Sequence, residues 1–106
     1  MRNYLYIFCY QTPSQASAAA AGEAQEESSQ AVFICATSQE EALAWGLEIA
    51  ERFVKDLFPD GSKSWKSGKY AHWIEGSPEE EYPSSVLSDI PVVELGIYPS
   101  FKPDPH

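Results

Sequence analysis

Two histidines limit the acid–base chemistry open to this 106-residue chain: His72, and His106 at the last position. A nucleophile–base pair would have to join His72 to Cys9, Cys35 or a serine, because the base must sit within hydrogen-bond reach. The sequence has no Gly-x-Ser-x-Gly turn of the kind that exposes a nucleophilic serine. Strand alternation puts His72 on the same face as Tyr70 and Ile74, the setting of a structural histidine. The chain therefore reads as a protein that is not an enzyme.

Metal and carboxylate chemistry find little more. Cys9 and Cys35 stand 26 residues apart in apolar runs, where free cysteine behaves as a small hydrophobe. With one strand histidine they do not reproduce zinc-ligand spacing. Glu26-Glu27 and Glu79-Glu80-Glu81 lack the alternating acids and glycine of a calcium loop. No metal site and no cofactor are expected. Glu75 and Glu94 fall on strands, and a glycosidase-type pair would need them opposed across a cleft.

The loop at 61–69 is the local exception to an acidic chain. Its glycines and serines, with Lys63, Lys66 and Lys69, can cradle an anion through backbone N–H groups and ammonium charges. Trp65 is the large ring in that loop. The stretch is not a Walker loop, because six residues separate Gly61 from Gly68 and Tyr70 follows Lys69. Lys63, Trp65, Lys66 and Lys69 are the candidate anion-binding residues. A second candidate surface centres on Trp45 with Ile49 and Arg52 beside it, since large amphipathic rings are enriched at binding hot spots.

These groups must be positioned by a few elements. Residues 4–10 alternate Tyr4, Tyr6, Phe8 and Tyr10 with Leu5, Ile7 and Cys9, a strand with two apolar faces. It is expected at the centre of a sheet, covered on its aliphatic side, with the tyrosine face half-exposed. Residues 11–30 are rich in Ala, Ser, Gln and Glu and read as a long low-complexity hairpin loop. Residues 31–36 form a second strand.

Ser38 and Glu41 then make a capping box that opens a helix over 39–57, ended by Pro59 and the Asp60-Gly61 turn. Its stripe of Leu43, Gly46, Leu47, Ala50, Val54 and Leu57 faces the sheet. Gly46 suggests close approach of the helix backbone. Ala42, Phe53 and Ile49 widen the apolar arc, and Trp45 lies beyond, on a flank that needs a tail, a loop or a partner to cover it. Strands over 70–75 and 92–98 follow, with Trp73 placed in the core. Residues 79–81 read as a solvated acidic run, and 99–106 as an extended proline-rich tail. The stretch 36–43 resembles the strand-to-helix junction of many small bacterial α+β domains, HicB-like antitoxins among them. The glycine-rich strand those carry upstream is absent, so the resemblance brings no site or activity with it.

The order β-β-α-β-β predicts one α+β domain, with the long helix packed on a mainly antiparallel four-stranded sheet. Seven basic against sixteen acidic residues give a formal net charge of −9. That charge disfavours nucleic acid, whose binding releases counterions through basic contacts, and anionic membrane surfaces. It favours a basic protein partner. No export-signal core is recognised, which points to the cytoplasm. The sequence thus predicts a non-catalytic interaction module of inhibitor, immunity or accessory type, with anion or metabolite binding at 61–69 as the alternative.

Overall fold

The computed structural model describes residues 1–23 and 25–101; His106 and the rest of the expected tail beyond Phe101 lie outside the described residues. The elements run β1 (Arg2–Tyr10), α1 (Pro13–Ala20), β2 (Ser28–Ala36), α2 (Gln39–Leu57), β3 (His72–Glu75), α3 (Pro78–Glu81), α4 (Ser84–Leu87) and β4 (Val92–Glu94). The strands form one mixed sheet in the order β3-β1-β2-β4. β1 is antiparallel to both of its neighbours, and β4 lies parallel to β2. The architecture is α+β, with α2 across one face.

α2 has the bounds expected from its signals. Ser38 Oγ accepts from Glu41 N–H at 3.1 Å. The Glu41 carboxylate reaches back one residue further than a capping box requires, accepting from the N–H and hydroxyl of Thr37. Those bonds hold its pKa below the ordinary carboxylate range.

The aliphatic side of β1 is covered as expected, Leu5 and Ile7 being buried, but the tyrosine side, expected half-exposed, is buried as well, and it is the side that α2 covers. There Tyr6, Phe8 and Tyr10 are buried with Val32, Ile34, Ala42, Ile49, Ala50 and Val54. Gly46 makes this possible. A Cβ at Gly46 would stand 2.6 Å from atoms of the Tyr6 ring, so only glycine lets the ring lie against the helix backbone. The buried stripe of α2 therefore runs through Ala42, Gly46, Ile49, Ala50 and Val54, turned toward Ile49.

Four further expectations change. The 11–30 segment holds α1, started by a reciprocal cap in which Thr12 Oγ1 accepts from Gln15 N–H and Gln15 Oε1 accepts from Thr12 N–H. The strand after it begins at Ser28. The acidic run 79–81 is a one-turn helix with Pro78 at its start, followed by α4. β4 stops at Glu94 because Gly96 adopts φ +84°, and Ile97 N–H donates to Glu94 O at 3.1 Å to close the turn.

Trp73 is not in the core. It is 39% exposed, because His72 and Ile74 take the inward positions of a period-two strand. Among the described residues no helix is long and apolar enough to cross a membrane.

Candidate functional site

The expected Trp45 surface is occupied by the chain itself. After the Gly96 turn, residues 97–101 run back along α2. The Trp45 indole N–H donates to Ile97 O at 3.0 Å. The Arg52 guanidinium sits 4.2 Å over the Tyr98 ring. Phe101 packs edge-on to Phe53 and Phe8. Ile49 is fully buried, and of the three residues only Arg52 is exposed. Desolvation and the nearby Asp56 carboxylate raise the Tyr98 phenol to about 12, with Arg52 pulling the other way.

The 61–69 loop already holds an anion, and that anion is Glu51. Its carboxylate accepts from Ser64 Oγ at 2.8 and 3.0 Å and from Lys66 N–H at 3.1 Å. Glu51 is only 7% exposed. Burial pushes its pKa up, but Ser64, the Lys66 N–H and the Lys55 and Lys66 charges outweigh it and hold the group below the usual range. Lys66 Nζ pairs with Glu48 at 2.7 Å.

Between those anchors Trp65 turns inward. It is 4% exposed, and its indole N–H donates to Cys9 O at 2.8 Å near the C-terminal end of β1. Lys63 and Lys69 remain exposed, Lys69 in the left-handed region at φ 57°. The four candidate residues share one loop, but its Ser64 hydroxyl, Trp65 indole N–H and Lys66 backbone N–H are directed into the fold, and only the lysine ammonium groups stay at the surface.

His72 is a core-side residue. Its Nδ1 lies 2.9 Å from Tyr6 Oη, and Trp65 packs edge-on to its ring at 5.1 Å. Burial pushes the Tyr6 phenol up and the imidazole down, so both rings are held neutral near pH 7. In the Nε2–H tautomer the phenol donates to Nδ1. Cys9 and Cys35 pair in register with Ser29 and Asn3. That places them six residues apart along the ladder, about 20 Å and too far for a disulfide. Glu75 and Glu94 stand on opposite edge strands. Three inter-strand spacings, about 14 Å, exceed the roughly 9.5 Å that an inverting carboxylate pair spans.

What the sequence did not single out is the other face of the sheet. Leu5 and Ile7 lie there, in register with Phe33 and Ala31 of β2 and with Glu75 and Trp73 of β3. The segment containing α3 and α4 folds across this face and leaves a groove of about 330 Å³. Leu5 and Ile7 lie at its base, only 1% and 5% exposed; Tyr82, Val86 and Ile90 line one wall, Ser29, Gln30 and Ala31 the other, and Phe101 borders it. This volume falls within the roughly 300–1,000 Å³ typical of ligand sites.

The stretch of sequence that supplies one wall of the groove is one-signed in charge. Residues 70–101 contain six acids (Glu75, Glu79, Glu80, Glu81, Asp89 and Glu94) and no Lys or Arg. Five of the seven basic residues fall instead within 52–69, on α2 and the loop after it. The signal was present in the sequence as this split, but the composition of the whole chain averages it away. No protein-family model matches the chain, and no curated protein or solved structure matches it either.

Proposed function

We propose that this protein is a non-catalytic interaction module that binds a basic protein partner through the groove-bearing face of its sheet. The observation that carries this reading is the apolar groove over Leu5 and Ile7 beside a 32-residue stretch with six carboxylates and no cation. An apolar centre with a charged rim is the anatomy of a specific interface. One-signed charge at the rim speeds encounter with a partner of opposite sign and fixes its orientation. Trp73 and Val86, both exposed on or beside this face, supply apolar anchors of the kind such interfaces use.

This places the partner on the opposite side of the sheet from Trp45, whose indole and flank are taken up by residues 97–101. Anion binding at 61–69 has less support, because Ser64 and Lys66 already serve Glu51 and Glu48. The test is affinity capture from the native host, run at low and high salt with the wild type and Val86→Glu. The reading expects a basic protein retained by the wild type at low salt, released at high salt and lost from Val86→Glu. Retention that ignores both salt and the substitution would overturn it.

A further inference from the structure

In an antiparallel ladder, alternate residues turn their N–H and C=O toward a given neighbour and then away from it. Phe33 donates its N–H to Pro91 O at 2.8 Å, on the β4 side. Ala31 and Ser29, two and four residues earlier, therefore also turn their backbone groups away from β1. Phe33 meets β4. Ala31 and Ser29 do not, since β4 pairs only with Phe33, Ile34 and Cys35.

The ladder ends there for a covalent reason. In the parallel register the next donor, to the Ala31 carbonyl, would be the N–H of residue 91, and residue 91 is a proline with no N–H to give. Just before it the chain is held in the α4 turn, with Ile90 N–H bonded to Leu87 O at 3.2 Å. Among the described residues the N–H and C=O of Ser29 and Ala31 have no backbone partner. An edge left open in this way is a template for another strand.

That open edge is one wall of the groove, directly beside Leu5 and Ile7. Acids stand toward both of its ends: Glu26 and Glu27 just before β2, and Glu79 beside Phe33 and Val92 at the other end. We propose that the partner enters as an extended segment that adds a strand to the edge of β2, in line with β4. Its backbone bonds to Ser29 and Ala31, an alternate apolar side chain enters the groove against Val86 and Ile90, and lysines or arginines flank it at both ends. Main-chain bonds supply affinity in this mode and side-chain pockets supply selectivity. The open edge of β2 from Ser28 to Val32, about 17 Å, sets the length of the core of that segment. The inference rests on the basic-partner reading of the same face and goes beyond it in naming the conformation of the bound segment.

The test uses the peptide Lys-Lys-Val-Thr-Val-Thr-Lys-Lys and the ¹⁵N-labelled protein. Hydrogen exchange at the Ser29 and Ala31 amides should slow by about tenfold or more at saturation, the equivalent of one or two net backbone bonds. The same peptide with N-methylated valines, or with glutamates for its lysines, should give no slowing. Ala31→Pro removes an outward N–H that the β1 ladder does not use, and should weaken peptide binding by about tenfold. Shifts at Leu5 and Ile7 without protection of the two amides would overturn strand addition and leave the basic-partner reading standing. Failure of the peptide to bind at millimolar concentration would overturn strand addition as well, while capture from the host still judges that reading by itself.

Discussion

Replacing Glu51 by glutamine keeps the size of the side chain and removes the charge that the 61–69 loop is built around. The carboxylate accepts from the Ser64 hydroxyl and the Lys66 N–H inside a site only 7% exposed. A hydrogen bond to a charged group contributes about 1.5–3 kcal/mol, against about 1 kcal/mol for a neutral one. Two weakened bonds therefore cost about 1–3 kcal/mol, or roughly 4–8 °C of melting temperature per kcal/mol for a domain of this size. The loss carries a pH signature. The folded-state pKa of Glu51 lies below its reference value of 4.5, so its stabilisation is present above that value and is lost as pH falls through the folded pKa. Urea unfolding of wild type and Glu51→Gln should thus separate the midpoints at pH 7 and narrow the gap progressively as pH falls below 4.5. Equal stability at pH 7, or a gap that persists unchanged at low pH, would refute the account of this loop.

Gly46→Ala should destabilise the protein by about 1–2 kcal/mol, although helix propensity alone favours alanine by about 1 kcal/mol, because the new Cβ overlaps a fully buried Tyr6 ring. A higher urea midpoint for this variant would count against the packing of α2 on the tyrosine face. The pKa of His72 is depressed below 6.5, so stability should be complete above that value and decline as pH drops beneath it; an imidazole titration by NMR reading at or above 6.5 would contradict the Tyr6–His72 arrangement. At the other extreme, the raised phenol of Tyr6 keeps its stabilisation below pH 10 and loses it as pH climbs beyond, which alkaline unfolding of Tyr6→Phe against wild type will read. Trp45→Phe should cost about 1 kcal/mol through loss of the bond to Ile97 O and leave partner capture unchanged, whereas capture lost at preserved stability would return the binding surface to that flank.

The long helix was legible because its signals are local. Ser38, Glu41 and Pro59 sit within or next to it, and the observed bounds match those signals. α1 was hidden by composition, since Ala, Ser and Gln serve loops and helices alike; the Thr12-Pro13-x-Gln15 cap was the available sign. Which face of β1 would meet α2 could not be read from alternation, because both faces are apolar. That choice depends on how the Tyr6 ring fits over Gly46, and the two are forty residues apart in sequence.

The candidate sites follow the same pattern. Trp45, Ile49 and Arg52 were found as an apolar flank that a tail, a loop or a partner must cover, but no local signal in residues 97–101 chose the tail among the three. The glycines, serines and lysines of the loop were recognised as anion-binding chemistry, while the anion proved to be a carboxylate on the neighbouring helix. The groove escaped notice because it is made by residues from four separate stretches of chain. Its open edge depends on one proline ending a ladder that only the folded register reveals.

Titrating the captured basic partner into the isotope-labelled protein, with backbone and methyl shifts followed by NMR, addresses the binding surface directly. The account predicts perturbations centred on Leu5, Ile7, Ala31, Val86 and Ile90, weakening as salt is raised. Perturbations centred on Trp45 and Arg52, or on Lys63 and Lys69, would contradict it.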